Sequence, residues 1–178
     1  MYKYFFRLFL PTFFCVFFLF GCAVKVASPS HTRIEALSHL LYTLDTSIPK
    51  EEALQLSKDI FQKIEALTKE FEMTSPPQYH NFLVNIGLKE KGLCYHWSDA
   101  LYAYFTHKSY PSFEFHLMGA NIGEYWTEHN VMVVVAKGMP VEEGIVIDPW
   151  RDASRLYFSK VKEDTKYVWK HRASRGCK

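Results

Sequence analysis

The chain has 178 residues, of which 48% are apolar and 17% aromatic, and it carries a formal net charge of +2. This composition excludes a disordered chain, because disordered chains are poor in aromatic residues and rich in net charge. The length suits one domain with one hydrophobic core, and the small charge gives no electrostatic basis for nucleic-acid binding.

Residues 1–21 have the pattern of a secretory signal peptide. Lys3 and Arg7 give a basic beginning, and a mostly apolar run over residues 8–20 follows. The run is shorter than the roughly 20 residues that a membrane-spanning helix needs. It ends at Leu19-Phe20-Gly21-Cys22, which resembles a bacterial lipobox. The resemblance implies that Cys22 is lipidated and becomes the mature N-terminus; the alternative is an uncleaved anchor with an incidental cysteine.

Lipidation of Cys22 implies a cell-envelope protein that is anchored to the membrane by its lipid. Ala23 stands where an aspartate would resemble an inner-membrane retention signal, so we expect the outer membrane in a cell that has one. Cleavage removes Lys3 and Arg7, which brings the formal net charge of the mature chain to zero.

The mature chain keeps two cysteines that lipid does not block. Cys15 leaves with the signal peptide, and Cys94 and Cys177 remain. The two could pair in an oxidising compartment, but Cys177 lies in a polar tail over residues 172–178. We therefore favour a free Cys94.

The first half of the mature chain has helical periodicity. After a tether over residues 22–32, apolar residues spaced three and four apart predict a helix over 33–44. A second helix is predicted from about Pro49 to Glu72, with Ser47 as its N-cap. Ser75-Pro76-Pro77 breaks the pattern. A third helix is predicted over 78–88, and a fourth from close to Cys94 to near His107.

The second half has the pattern of strands, which are predicted over residues 113–117, 130–136, 145–148 and 155–158. The apolar run 131–135 predicts a strand that is buried on both faces, and the glycine-containing turns after it predict an antiparallel connection. The predicted fold class is α+β, a single domain over 33–171 with helices packed on one face of a small antiparallel sheet.

Three reactive side chains lie at the boundaries of these elements. Cys94 begins a helix, where unpaired N–H groups and the macrodipole favour a thiolate. His129 opens the buried strand and Asp148 closes the next one. If those strands are antiparallel neighbours, His129 and Asp148 meet at one edge of the sheet. A thiolate, an imidazole and an orienting carboxylate are the groups that nucleophilic thiol chemistry requires.

In this order and context, Gly92-Leu93-Cys94, His129-Asn130 and Asp148-Pro149-Trp150 resemble the motifs of the papain-like superfamily of cysteine peptidases, and most closely its transglutaminase-like branch. The resemblance covers residues 92–150. It implies that Cys94 is the nucleophile, that His129 is the general base and then acid, and that Asp148 orients the histidine. The reaction it implies forms a thioester and needs no cofactor.

An oxyanion hole needs a donor in addition to the backbone N–H of Cys94. Asn85 is the preferred candidate because it is the nearest upstream carboxamide, with Gln78 and Asn81 as alternatives. Three tryptophans are candidates for the walls of a cleft: Trp97, Trp126 and Trp150.

A zinc site is the rival interpretation, with Cys94, His96, His129 and Asp148 as ligands. Cys94 and His96 would point about 200° apart on a helix, so they would not easily share one ion, and no metal is predicted.

The leading hypothesis is a hydrolase or acyl transferase acting on an amide or peptide bond, with peptidoglycan peptides or surface proteins as candidate substrates. The alternative is an inert envelope lipoprotein that uses the same fold as a binding or assembly module.

Overall fold

The computed structural model describes residues 30–173. Its helices are α1 (His31–Tyr42), α2 (Lys50–Glu70), α3 (Pro77–Asn85) and α4 (Cys94–Thr106). Its strands are β1 (Phe113–Ala120), β2 (His129–Ala136), β3 (Ile145–Asp148), β4 (Tyr157–Lys160) and β5 (Lys170–His171). The predicted signal peptide, Cys22 and Cys177 lie outside the described residues. Within residues 30–173, no helix is both long and apolar enough to cross a membrane.

The first two helices pack against each other as a hairpin, but the start of the second differs from the prediction. Ser47 is not its N-cap; the capping position is Pro49, which provides no side-chain cap. Ser47 instead bonds to Asp45, whose carboxylate accepts from the Ser47 backbone N–H at 2.8 Å and from its hydroxyl at 2.6 Å. The local turn therefore competes successfully for the serine. Glu51 and Glu52 still stabilise the positive end of α2.

The strands form one five-stranded antiparallel sheet in the order β4-β3-β2-β1-β5. The predicted α+β class with an antiparallel sheet is confirmed. β2 occupies the centre of the sheet and pairs with β1 on one side and β3 on the other. β1 pairs along the whole length of β2, whereas β3 pairs with its middle, from Met132 to Val134.

Both faces of the sheet are covered, as the apolar run in β2 predicts, and all eight residues of β2 are buried. Met132 and Val134 belong to the main core beneath the helices. Val131 and Val133 alternate with them and pack with Trp169 on the other face. The C-terminal segment therefore supplies the second cover of the sheet.

The third helix is present but its apolar residues are not in the core. Tyr79, Phe82 and Ile86 are exposed, with 54% of the Phe82 side chain accessible to solvent. Helical spacing predicted the helix correctly, yet the apolar stripe faces outward and not toward the core. The exposed apolar face of α3 does not contribute to the core, and an exposed apolar patch of this kind is typical of a binding surface.

The C-terminal part of the domain extends beyond the predicted strands. β4 begins two residues after its predicted start, because residues 151–154 form a turn. β5 was not predicted; it pairs with Met118 and Gly119 of β1. Arg172, which the sequence assigns to the polar tail, is buried with 7% exposure. The domain thus includes Arg172.

Candidate active site

Cys94 is the first residue of α4, and the loop before it is fixed by polar contacts. His96 Nδ1 accepts from the backbone N–H groups of Gly92 and Leu93, both at 3.2 Å. The indole N–H of Trp97 donates to the Gly92 carbonyl at 3.2 Å. Because these contacts come from α4 itself, the thiol position is coupled to the first turn of the helix. Trp97 is a core residue, 1% exposed, so its predicted place in a cleft wall is wrong.

Gly92 allows a close approach to His80 beneath the loop. Its φ is +120°, and a Cβ atom there would lie 2.1 Å from His80 Nε2. The imidazole of His80 is fully buried and lies between two backbone groups: Nδ1 accepts from the Thr74 N–H at 3.1 Å, and Nε2 donates to the Lys91 carbonyl at 2.8 Å. A glycine is required at this position on both conformational and steric grounds.

His129 and Asp148 meet through the register of β2 and β3. Met132 is opposite Ile147, so the next residue of β3, Asp148, lies across from Val131. His129 is two residues further along β2 on the same face, which makes it a diagonal neighbour of Asp148. The His129 Nε2 atom lies 2.7 Å from Asp148 Oδ2, and both side chains are buried.

The remaining ring nitrogen of His129 is available to the thiol. Nδ1 is buried and makes no hydrogen bond of ordinary geometry with any described residue. The ring interacts with the Cys94 side chain as well as with Asp148, and it packs against the rings of Trp150, Tyr167 and Trp169. Cys94 is therefore close enough to His129 to interact with it electrostatically. The structure brings together all three residues that the sequence singled out.

The charges of the site favour a protonated His129. Burial lowers the pKa of His129, but the Asp148 carboxylate and the Cys94 side chain raise it more, to about 9. Burial raises the pKa of Asp148, yet the neighbouring His129 and Arg151 hold it below its usual value. At neutral pH the arrangement is an imidazolium held between the Asp148 carboxylate and the Cys94 sulfur.

Arg151 connects the carboxylate of the site to a second one. Its Nε donates to Asp148 Oδ2 at 2.9 Å, and its Nη2 donates to Asp164 Oδ2 at 2.7 Å. The guanidinium also lies 3.8 Å from the ring centroid of Tyr157. The indole N–H of Trp169 donates to Asp164 at 3.0 Å. Asp148 is thus fixed by two cationic partners, His129 and Arg151.

Polar groups also surround the sulfur on its other side. The Asn130 Nδ2 atom lies 3.8 Å from Cys94 Sγ and donates to Glu128 Oε1 at 3.1 Å. The Asn130 carbonyl oxygen accepts from Arg172 Nη1 at 3.1 Å. Arg172 in turn bonds to Asp99 of α4. The C-terminal segment therefore braces the strand and the helix that carry His129 and Cys94.

A cleft of about 600 Å³ opens beside Cys94, between α3, the first turn of α4, the β1–β2 loop and Trp150. Trp126 and Trp150 line it, as predicted, and so does Asn85. Asn85 is the last residue of α3 and is exposed, and it has no hydrogen bond to Cys94. Asn81 is more firmly positioned, because the Trp150 indole N–H donates to its Oδ1 at 3.0 Å.

The zinc interpretation finds no set of ligands in the described part of the chain. Within residues 30–173, no group of three or more histidine, cysteine, aspartate or glutamate side chains is arranged to hold a metal ion. His96 is turned toward the loop before Cys94, where it accepts the two backbone hydrogen bonds given above.

Four supporting residues were missed by reasoning from the sequence: Arg151, Asp164, Asn130 and Arg172. Arg151 is three residues after Asp148, and Asn130 directly follows His129, so proximity to a candidate residue is the signal that could have found these two. Asp164 and Arg172 come from the C-terminal segment, and only the folded chain brings them to the site.

Comparison with known proteins does not supply a relative for this chain: no protein-family model matches it, and neither does any curated protein or solved structure.

Proposed function

We propose that this protein is a cysteine-dependent hydrolase or acyl transferase of an amide or peptide bond, with a papain-like or transglutaminase-like arrangement of its catalytic residues. The observation that carries the proposal is the 2.7 Å contact of His129 Nε2 with Asp148, which leaves Nδ1 for Cys94. The interaction of the His129 ring with the Cys94 side chain supports the same assignment.

The first half-reaction forms a thioester. The Cys94 sulfur attacks the carbonyl carbon of the substrate, and its proton resides on His129 Nδ1. The tetrahedral intermediate collapses by breaking the bond to nitrogen, while Nδ1–H gives its proton to the leaving amine. Asp148 keeps Nε2–H bonded throughout, and so it fixes the ring orientation and stabilises the imidazolium.

The second half-reaction releases the acyl group. Water or an amine attacks the thioester carbon, His129 Nδ1 accepts its proton, and the sulfur leaves as a thiolate that the imidazolium stabilises. The oxyanion of both steps is bonded by the Cys94 backbone N–H and a carboxamide of α3. Asn81 suits this role better than Asn85, because Trp150 fixes its carbonyl and directs its amide.

Trapping the thioester tests this function. The protein is mixed with a p-nitrophenyl ester of an N-acetylated amino acid, quenched in acid and weighed by intact mass spectrometry. We expect an adduct of the acyl mass on wild type that hydroxylamine removes, and no adduct on Cys94→Ala. An adduct of equal yield on both proteins would place the reactive group elsewhere.

The second candidate is an inert binding module, which the exposure of Phe82, Tyr125 and Trp126 around the cleft favours. It predicts no acyl adduct and no rate difference between wild type and Cys94→Ala. The same mass measurement therefore separates the two functions.

We also propose that the protein acts in the bacterial envelope, anchored through Cys22, with peptides or proteins of that compartment as substrates. Metabolic labelling with a palmitate analogue tests the anchor. Labelling should be strong in wild type and lost in Cys22→Ala; equal labelling in both would refute it.

A further inference from the structure

The α3 wall of the cleft carries three side-chain amides in a row. Gln78, Asn81 and Asn85 all line the cleft, and their spacing of three and four residues puts them on one face of the helix. At about 1.5 Å of rise per residue, the row spans roughly 10 Å along the helix axis. We refer to these three residues as the amide row.

Most donors and acceptors of the amide row are not used in hydrogen bonds within the described part of the chain. Gln78 and Asn85 make no side-chain hydrogen bond to any other residue between 30 and 173. Asn81 uses only its carbonyl oxygen, which accepts from Trp150, so its amide nitrogen is left over. A carboxamide both donates and accepts, as a peptide group does. The row therefore matches a ligand that alternates donors and acceptors along its length.

The opposite wall is apolar and comes from the loop between β1 and β2. Tyr125 and Trp126 line the cleft there, and Trp126 is 87% exposed. Their rings contact each other edge to face, with centroids 4.9 Å apart, which gives a broad surface that the core does not use. A side chain that leaves the amide row would meet this surface.

The cleft has little charge. Glu128 is the one lining residue among those described that has a formal charge at neutral pH. Its carboxylate accepts from the Gly123 N–H at 2.7 Å and from Asn130 at 3.1 Å. Among residues 30–173, no basic side chain lines the cleft to bind a carboxylate or a phosphate. The ligand that fits is uncharged close to the reacting bond.

We propose that the acyl donor is an extended, uncharged polypeptide segment whose backbone bonds to the amide row and whose apolar side chain packs on Tyr125 and Trp126. This proposal rests on the function proposed above and specifies its substrate. An extended chain rises about 3.3 Å per residue, so the row engages about three residues. A fatty acyl chain would leave the amides without partners, and a small amide would reach only one of them.

The test compares p-nitrophenyl esters of an N-acetylated single residue and of an N-acetylated tetrapeptide of alanine and leucine. We expect wild type to favour the tetrapeptide in kcat/KM by tenfold or more. In the double variant Gln78→Leu/Asn85→Leu, that ratio should fall about tenfold, because about two hydrogen bonds are lost. Gln62→Leu, at an exposed position of α2, is the matched control and should leave the ratio unchanged.

Three results would overturn the proposal. One is a wild-type ratio near unity. Another is a ratio that the double variant leaves intact. The third is a p-nitrophenyl octanoate rate above the tetrapeptide rate in wild type, which would favour an acyl-chain substrate.

A binding measurement distinguishes failure of the proposed peptide site from failure of the proposed catalytic function. Fluorescence of the cleft tryptophans is measured while Cys94→Ala is titrated with the N-acetylated tetrapeptide amide. If wild type forms no acyl adduct, the proposed function fails, but binding that weakens about tenfold in Cys94→Ala/Gln78→Leu/Asn85→Leu would still support the peptide site. Binding that is undetectable, or equal in the two proteins, would refute it.

Discussion

His129 Nε2 lies 2.7 Å from Asp148 Oδ2 in a buried environment, at the edge where the central strand of the sheet begins and its neighbour ends. The contact determines which nitrogen of the ring is left for Cys94. It also raises the pKa of His129 to about 9, so the ring is an acid at neutral pH. Both properties can be measured independently of any knowledge of the natural substrate.

Replacing Asp148 by asparagine should lower the pKa of His129. The carboxylate raises that pKa in the wild type, and an amide of the same size removes the charge while the side chain keeps its shape. Protonated His129 is needed to give a proton to the leaving amine, so kcat/KM for an anilide should fall above pH 9 in wild type. In Asp148→Asn the fall should begin at least about one pH unit lower. If kcat/KM falls at the same pH in the variant as in wild type, Asp148 does not raise the pKa of His129 as proposed.

His129 should make stability depend on pH on the alkaline side. Its pKa is raised from 6.5 to about 9 on folding, so its contribution is fully present below about pH 6.5 and is lost as the pH rises through 9. The loss should be on the order of 3 kcal/mol. Urea unfolding of wild type and His129→Asn at pH 6 and 9.5 checks this. The variant should lose less stability between the two pH values; a parallel loss would be inconsistent with the raised pKa.

Arg151 is expected to act as a positioning residue. Arg151→Gln leaves the buried carboxylates of Asp148 and Asp164 without their shared cation, and the free energy of unfolding should fall by roughly 3 kcal/mol. kcat should fall with little change in KM, because Arg151 is not among the described residues that line the cleft. Arg155→Gln is the control, since Arg155 is exposed. Equal effects of the two substitutions would argue against a specific network.

Gly92→Ala tests the loop that precedes the nucleophile. The substitution forces an unfavourable φ and drives a Cβ atom into His80, so we expect a loss of about 2 kcal/mol or more. Gly138→Ala is a matched control, with a φ of +78° but no atom within 4 Å of the new Cβ. It should lose only about 1 kcal/mol. Chemical denaturation of both variants distinguishes the steric clash from the backbone strain.

The sequence predicted the elements whose apolar residues repeat regularly. α1, α2 and α4 follow from helical spacing, and β2 follows from an apolar run with three consecutive valines, which fits a strand buried on both faces. β5 could not be predicted, because its two residues are too few to form a pattern and their pairing depends on β1. The stripe on α3 has the spacing of a core helix, and periodicity alone does not say which structure an apolar face meets.

The candidate site was predictable in its reactive groups but not in their support. Cys94, His129 and Asp148 were found because each lies at the end of an element, where side chains converge. Arg172 pairs with Asn130 across 42 positions of the chain, and no local signal encodes such a contact. Asn81 and Asn85 have equivalent carboxamides, and only the indole of Trp150 distinguishes them.

The rate at which Cys94 is alkylated at pH 5.5 tests the central claim most directly. Wild type and His129→Asn are treated with iodoacetamide, and modification of Cys94 is followed by mass spectrometry. If imidazolium stabilises the thiolate, wild type should react at least about tenfold faster than the variant, since ordinary thiols are largely protonated at this pH. Equally slow alkylation of Cys94 in the two proteins would contradict the account.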